Sequence, residues 1–345
     1  MIQIFICLIL SSFLGTVLYF MWKILGYWIE KKGYIDSNYW IWKIVLLSFI
    51  CPVPFIVILE IQKNGLYGFE FWQADIIVKI VRIVLSIWIG GTIFKAIVYI
   101  WQHRKIHKII KEIGYKIPEK EIEVKNICNE LKIKKNIDLI ILDTMKVPMV
   151  YEVIHPKILL PHDQYEQKEL KIILCHEIIH YKHHDLLWKQ LFQVVRCVYW
   201  FHPIMKDILK QIDQWGETSC DIAVSKYIKS VKEYFQVIIK IATEESNYGV
   251  YMAGLCEGTE IIMLRMQRMQ KYLNKKPLRK AVSIGVITVI LGISSVTVMA
   301  SSTGLAKWYN KVAIEVMSES EGVGEDVDHV IQRSENQREY LNKKI

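Results

Sequence analysis

The sequence lacks the cysteine pattern of a disulfide-stabilised secreted domain. It has seven cysteines, an odd number, and no two of them form a CxxC pair. A secreted framework uses an even set of paired cysteines, whereas free thiols are the rule in a reducing compartment. We therefore expect no disulfide framework, and we expect the polar stretch that carries most of these cysteines to be cytoplasmic.

Basic residues are also missing in front of the first apolar run. A cleavable signal peptide begins with a positively charged segment, so this run is expected to stay as a membrane span. Four runs approach the roughly 20 residues that cross a bilayer as a helix. They are Ile2–Met21, Tyr39–Ile61, Ile80–Trp101 and Ala281–Ala300. The predicted fold class is an α-helical membrane protein with four transmembrane helices, three of them within residues 1–101.

The charged residues predict an orientation in the membrane. The chain carries 44 Lys and Arg against 35 Asp and Glu, a net charge of +9. Most of the excess lies beside predicted spans, in stretches 102–111 and 275–280. Basic residues there keep a loop in the cytoplasm and contact anionic lipids. Residues 102–280 are thus predicted to be cytoplasmic, with the N-terminus and the acidic tail 301–345 outside the cell membrane. Because the lipid bilayer explains the basic charge, we expect no direct binding of nucleic acid.

Residues 102–280 have the pattern of a small α+β domain inserted between the third and fourth spans. Apolar residues at helical spacing follow Pro118 and Gln167. The short apolar runs "IDLIILD", "PMVYEV" and "HPKILLP" predict strands. Two more helices are predicted in "DLLWKQLFQVVRCVYWF" and in the segment that begins at Pro203.

The letters "HEIIH" lie on one of these predicted helices, at residues 176–180. Residues four apart on a helix project from the same side, so His176 and His180 can bind one Zn²⁺ ion. Glu177 lies beside them, where a carboxylate can accept a proton from a water that the metal activates and pass it to a leaving amine. We interpret the motif as a zinc protease site with Glu177 as catalytic base, in preference to polar residues at a domain surface.

A catalytic zinc site needs a third protein ligand and one open position. Glu217 in "GETSCD" is the preferred candidate, and His202 in "WFHP" is the alternative. Asp221 lies four residues after Glu217 on the same predicted helix and is expected to orient a zinc-binding histidine. Asp185, five residues after His180, is a second candidate for that role.

Other potential ligands receive structural interpretations. We interpret His155 and His162 as surface residues. Cys175 and Cys220 lie close in sequence to proposed ligands, and we interpret both as small buried residues that pack as apolar ones do.

These motifs, in this order, resemble the BlaR/MecR-type membrane metallopeptidases of bacteria. The matching stretches are "PMVYEVIHPKILLP", "LCHEIIHYKHHD", "WFHPI" and "GETSCDIAV", and the resemblance covers most of the chain. It implies a gluzincin-type zinc metallopeptidase domain, with zinc held by His176, His180 and Glu217 and with Glu177 as base. It also implies signal transduction by proteolysis on the cytoplasmic side, as an antirepressor that leads to inactivation of a BlaI/MecI-like helix-turn-helix repressor.

The sequence departs from that family in two ways. Family transducers carry an extracellular penicillin-binding sensor after the last span, but about 45 residues follow Ala300 here, with no SxxK or KTG motif. Acylation by a β-lactam needs those residues, so we expect no sensor of that kind. The pair Tyr151–Glu152 also stands where relatives usually carry a glycine, at the edge of the predicted cleft.

A strand beside the active-site helix can pair with an extended substrate through main-chain hydrogen bonds. We predict that Pro148, Met149 and Val150 supply this edge, with the "KILLP" run as the alternative. Two other functions remain open: a quality-control protease of the HtpX type, which shares HExxH and a later carboxylate, and a non-catalytic membrane receptor with structural zinc. A homodimer is also left open.

Overall fold

The computed structural model of the chain describes residues 2–31, 35–50, 75–145, 147–161, 165–246, 259–273 and 292. The chain divides into two compact units. The larger unit comprises Gly15–Ile50 and Ile89–Ile287, and the other comprises Met1–Leu14, Cys51–Trp88 and Thr288–Ile345. Every residue of the candidate site belongs to the larger unit, which therefore combines the predicted inserted domain with residues that the sequence assigns to membrane spans.

Among the residues that the structure describes, two helices are long and apolar enough to cross a membrane. Helix α1 (Ile2–Lys31) contains the candidate span Cys7–Tyr27, and helix α3 contains the candidate span Val78–Ile113. Helix α3 itself runs from Asp75 to Ile113. Large apolar side chains stay exposed along most of its length, and the most exposed are Ile76, Ile83, Ile87, Phe94 and Trp101. Such a surface is suited to lipid rather than to water.

The four predicted spans are covered by the structure to different extents. The first and the third coincide with α1 and α3. The second, Tyr39–Ile61, is described only as far as Ile50, where helix α2 (Ile35–Ser48) ends in a turn. The fourth, Ala281–Ala300, lies outside the described residues except for Gly292. The described part of the chain thus contains two candidate spans, and the four-span topology stays a prediction.

A small mixed sheet follows helix α4 (Pro118–Glu130). Its strands are β1 (Asp138–Ile141), β2 (Met149–Tyr151) and β3 (Lys157–Leu160). The central strand β3 runs parallel to β1 and antiparallel to β2. All three predicted strands are confirmed. Because the "KILLP" run is paired on both sides, β2 is the strand with an open edge near the "HEIIH" helix in this sheet.

The residue after β2, Glu152, lies where the family resemblance leads us to expect a glycine. Glu152 has φ 63, a left-handed conformation that glycine adopts without the strain caused by a Cβ. Its carboxylate accepts a hydrogen bond from Lys157 Nζ at 2.7 Å and lies 2.8 Å from His107 Nδ1. These contacts hold the side chain, so the turn keeps the shape that a glycine would allow.

The remaining helices build the larger part of the domain. They are α5 (Gln167–Lys182), α6 (Asp185–Val198), α7 (Ile204–Ile228), α8 (Val231–Ser246) and α9 (Thr259–Leu273). Helix α5, which carries the "HEIIH" motif, packs against α4, α6, α7, α8 and the sheet. Residues 172–180 are buried without interruption, so α5 is a central helix rather than one with a single apolar face.

The chain reverses sharply between α5 and α6. His184 adopts a left-handed conformation with φ 59, which ends one helix and redirects the chain into the next. Asp185, the first residue of α6, is thereby brought back beside His180 in the last turn of α5. This turn explains how Asp185, five positions later, can reach His180, a predicted metal ligand.

Helix α2 packs against α7 and α6 within the larger unit. Its side chains Tyr39, Trp42, Lys43 and Leu46 are buried. The first third of the second predicted span is thus in direct contact with the helix that carries Glu217.

Candidate metal centre

Three side chains from two helices converge at one point. His176 and His180 lie one turn apart on α5, and their Nε2 atoms are 3.0 Å from each other. Glu217, on α7, places Oε2 3.3 Å from Nε2 of His176 and Oε1 3.4 Å from Nε2 of His180. Both histidines are buried. The structure therefore brings together the three residues that the sequence predicts as metal ligands.

The ring of His180 is oriented by Asp185. Nδ1 of His180 lies 2.8 Å from Oδ2 of Asp185, so the ring N–H donates to this carboxylate and Nε2 keeps its lone pair. Asp185 is itself buried and also accepts a hydrogen bond from the hydroxyl of Tyr39. The side chain of Lys43 lies 4.0 Å from the same carboxylate oxygen, Oδ1.

The ring of His176 is oriented through a longer chain of contacts. Its Nδ1 lies 2.9 Å from the hydroxyl of Tyr234 on α8, and that hydroxyl donates to Asp221. Arg265 on α9 donates two hydrogen bonds to Asp221, of 2.8 and 2.6 Å. Asp221 thus reaches His176 through Tyr234, because its own oxygen is 4.0 Å from Nδ1, and the orienting role predicted for it would act through that hydroxyl. Arg265 also lies 3.4 Å from Oε2 of Glu217.

The contacts at the two Nδ1 atoms determine the hydrogen-bonding role of the atoms that converge. With both Nδ1 atoms donating, the two Nε2 atoms and the two oxygens of Glu217 are all hydrogen-bond acceptors. Acceptors 3.0 to 3.4 Å apart repel one another unless a proton or a metal ion lies between them. A tetrahedral zinc site with bonds of about 2.0–2.1 Å places neighbouring ligand atoms roughly 3.3 Å apart. The donor set and its spacing thus fit a bound zinc ion.

Cys220 is a further potential ligand. The ligand atoms of His176, His180 and Cys220 all lie within 4.8 Å of one another, and the cysteine is buried. Its sulfur lies 3.4 Å from Nδ1 of His176, the nitrogen that points toward Tyr234, and 3.3 Å from the main-chain oxygen of His176. Glu217 approaches the Nε2 atoms of both histidines, so it is the better partner for an ion held there.

The charge of the carboxylates is set by their neighbours. Burial opposes ionisation of Glu217, but His180, His176 and Arg265 more than offset it and hold its pKa well below the ordinary value. Burial likewise opposes ionisation of Asp185, but His180, Tyr39 and Lys43 together more than offset it, so that this pKa is also lowered. Both groups are therefore anionic at neutral pH, as a metal ligand and its supporting carboxylate need to be.

A cavity of about 650 Å³ opens onto the converging side chains. Glu177 is buried beside His176 and lines this cavity together with the three candidate ligands. Residues Val147 to Val150 of the β2 segment form another part of the wall. The predicted catalytic base and the predicted substrate edge, Pro148, Met149 and Val150, thus border one space.

Other predicted alternatives lie elsewhere. Nε2 of His202 is 3.2 Å from the hydroxyl of Thr16 on α1, and its ring packs edge-to-face with Phe49. The contacts found for this histidine are therefore with α1 and the end of α2. His155 is exposed, as expected, whereas His162 lies outside the described residues. Burial raises the pKa of the Cys175 thiol to about 12, in keeping with a packed, neutral side chain.

The sequence analysis did not identify four residues that contact a candidate ligand or one of the two supporting carboxylates, Asp185 and Asp221. They are Tyr39, Lys43, Tyr234 and Arg265. For Lys43 a signal existed, since a lysine inside an apolar run needs a partner when it is buried. For the other three, the partner lies far away in sequence and no local spacing identifies it.

Comparisons with known proteins agree with these observations. A family profile described as "BlaR1 peptidase M56" matches residues 70–268. Regulatory protein BlaR1 of Bacillus licheniformis is 28% identical over 214 residues, which cover 60% of this chain and 36% of that protein. The methicillin resistance mecR1 proteins of Staphylococcus aureus and Staphylococcus epidermidis are each 26% identical over 176 residues, 49% of this chain and 30% of theirs. The chain thus matches about a third of the length of these relatives.

Proposed function

The chain belongs to the BlaR1 peptidase M56 family, and from this membership we propose that it is a membrane-bound zinc metalloendopeptidase with a regulatory role. The observation that carries the proposal is the convergence of His176, His180 and Glu217 on one point at the wall of an open cavity. Acceptor atoms arranged in this way are suited to bind a metal ion, and the cavity leaves room for water and substrate beside it.

In this proposal the three convergent residues hold zinc as a gluzincin-type site. When bound, zinc supplies a Lewis acid that makes water acidic enough to ionise near neutral pH. The carboxylate of Glu177, buried at the wall of the cavity, accepts the proton of the attacking water and returns it to the leaving amine. Asp185 and Tyr234 keep both imidazole rings in the tautomer whose Nε2 is free.

The open edge of β2 is proposed to bind the substrate. Residues Pro148 to Val150 line the cavity that Glu177 also lines, and β2 is paired on one side only within the described sheet. A protein segment in extended conformation can add there as a further strand. A substrate peptide with one N-methylated amide next to the cleaved bond should show KM raised by about fivefold, since one lost main-chain hydrogen bond weakens binding by roughly 1 kcal/mol. An unchanged KM would exclude this binding mode.

We also propose that the substrate is a cytoplasmic regulatory protein. The names of the matched relatives, a regulatory protein and methicillin-resistance proteins, support a role in a signalling path. A BlaI/MecI-like repressor is the substrate that family resemblance favours. The predicted topology, with four spans, residues 102–280 inside and the tail outside, would place the cleft on the same side of the membrane as such a substrate.

The catalytic proposal is tested by Glu177→Gln in the full-length protein. This change removes the base but none of the proposed ligands, so zinc content should stay at one ion per chain while cleavage of a co-expressed repressor, or of the chain itself, falls by about 10²–10⁴-fold. The exposed Glu233, also a glutamate but on α8, provides the matched control Glu233→Gln, which should cleave normally. Cleavage that survives Glu177→Gln would reject the proposal.

A non-catalytic receptor with structural zinc is the second candidate, and Cys220 is the observation that favours it. If this buried sulfur joined His176, His180 and Glu217, the ion would have four protein ligands and no open position. Cobalt substitution separates the two candidates, because a thiolate ligand adds an intense ultraviolet charge-transfer band. The catalytic proposal predicts that this band is absent and that Cys220→Ser leaves the cobalt spectrum unchanged.

A further inference from the structure

Asp185 is shared between the metal centre and helix α2. One of its oxygens, Oδ2, lies 2.8 Å from Nδ1 of His180. The other, Oδ1, accepts the hydroxyl of Tyr39 and lies 4.0 Å from the ammonium of Lys43. The carboxylate is buried, so these partners replace water and determine where it sits. Side chains of α2 therefore help to hold the carboxylate that orients the His180 ring.

Lys43 is held inside the protein at this point. Its side chain is only 1% exposed. The ammonium lies 3.6 Å from the centre of the Tyr39 ring and about 5 Å from the rings of Trp40 and Trp188. A buried cation is costly unless an anion and aromatic faces compensate it, and Asp185 is the carboxylate found beside it. The positive charge of α2 is thus matched to the carboxylate that orients a metal ligand.

Tyr39 also touches the helix that supplies the third candidate ligand. A Cβ placed on Gly216 would lie 3.4 Å from Cε2 of Tyr39 and 3.5 Å from its hydroxyl oxygen. A side chain at position 216 would thus be in ordinary van der Waals contact with the ring, so Tyr39 lies beside α7 one residue before Glu217. One tyrosine thus lies next to both elements on which the metal centre is built.

We propose that Tyr39 and Lys43 are positioning residues for the metal centre, and that they act through Asp185 on His180. This inference rests on the proposed function, because it takes the metal to bind at His176, His180 and Glu217. Since α2 forms the start of the second predicted span, it links the membrane part of the chain to the metal through Asp185 and His180. A displacement of α2 would release Asp185, let the His180 ring turn, and weaken metal binding.

The test measures zinc affinity of the full-length protein in detergent by competition with a chelator. Tyr39→Phe removes one hydroxyl and should weaken zinc binding by about tenfold, in line with the 10–100-fold effect of removing a group that supports a metal ligand. Lys43→Met keeps an apolar side chain of similar length and should also weaken binding. The tetrahedral cobalt spectrum should change in both variants.

The chain offers a matched control. Tyr19 on α1 donates to Asp207 on α7 at 2.5 Å, with Lys23 beside the pair at 3.2 Å. This tyrosine, carboxylate and lysine repeat the chemistry of the α2 contact without touching the candidate ligands. Tyr19→Phe should therefore leave zinc affinity within about twofold of the wild type. An equal loss in Tyr19→Phe and Tyr39→Phe would mean that general loosening is responsible, and it would overturn the inference.

Asp185→Asn tests whether the effect passes through this carboxylate. In that background Tyr39→Phe should change zinc affinity less than about twofold, because the two changes interrupt one path. Independent, additive losses would contradict the inference, as would a Tyr39→Phe protein with unchanged affinity and cobalt spectrum. The proposed function would survive such a result if the wild type binds one zinc and His180→Ala binds none. A wild type that binds no zinc would overturn both.

Discussion

Asp221→Asn tests whether the carboxylate behind His176 stabilises the domain. Asp221 is fully buried and accepts two hydrogen bonds from Arg265, whose side chain is only 6% exposed, in addition to the one from Tyr234. Removing one partner of a buried ion pair costs about 3–5 kcal/mol, because the other charge is left without compensation. Glu217 lies 3.4 Å from the same arginine and compensates part of that charge, so we expect the lower end, about 3 kcal/mol.

The assay is thermal unfolding of the purified full-length protein with a chelator present, so that metal binding does not contribute to stability. In a domain of about 150–250 residues each kcal/mol shifts Tm by roughly 2–4 °C, so Asp221→Asn should lower Tm by about 6–12 °C. The control is Glu112→Gln, which removes the exposed i,i+4 pair with Lys108 at 3.6 Å. Such pairs contribute about 0.3–0.5 kcal/mol, so Tm should fall by less than about 2 °C. Equal shifts in the two variants would refute the reasoning.

The other predictions concern metal binding and pH. In a chelator competition, Glu217→Gln should weaken zinc binding by about 100-fold or more, whereas Cys220→Ser should weaken it by less than about tenfold. A larger loss in Cys220→Ser than in Glu217→Gln would identify the sulfur as the third ligand. His202→Ala should leave zinc affinity within about twofold, since its contacts are with α1 and Phe49, and a large loss would restore it as a ligand. Burial opposes ionisation of Glu152, but Lys157 and His107 more than offset it and lower its pKa. Its contribution to stability is therefore complete above the ordinary pKa of about 4.3 and is lost as pH falls through the lower folded-state value. Lys157→Met should accordingly lower the free energy of unfolding at pH 7 and lower it less below about pH 4, and a loss that is independent of pH would contradict this.

Local periodicity was sufficient for the elements that carry the predicted metal ligands. The spacing of His176 and His180 follows from helix geometry alone, and Glu177 comes with it. The strands were readable because short apolar runs were separated by turns, and the edge position of β2 followed once their order was known. Glu217 was chosen from chemistry, as a carboxylate on a later helix with Asp221 four residues further on. The structure brings it to the two histidines.

The residues that orient the ligands were beyond such patterns. Tyr39 lies 146 positions before Asp185, and Tyr234 lies 58 positions after His176. Contacts at that distance depend on how helices pack, which a local pattern does not specify. From Tyr39 onward, helix α2 was also predicted to be membrane span, because its apolar side chains suit lipid and a protein core equally well. Lys43 was the charged residue in that stretch that called for a buried partner.

The nature of the metal centre is tested most directly by X-ray absorption at the zinc edge, on full-length Glu177→Gln protein loaded with one equivalent of zinc. We predict nitrogen and oxygen neighbours at about 2.0–2.1 Å, with the scattering pattern of two imidazoles and without sulfur. A sulfur neighbour at about 2.3 Å would identify Cys220 as a ligand, and protein that retains no zinc would contradict the metal site itself.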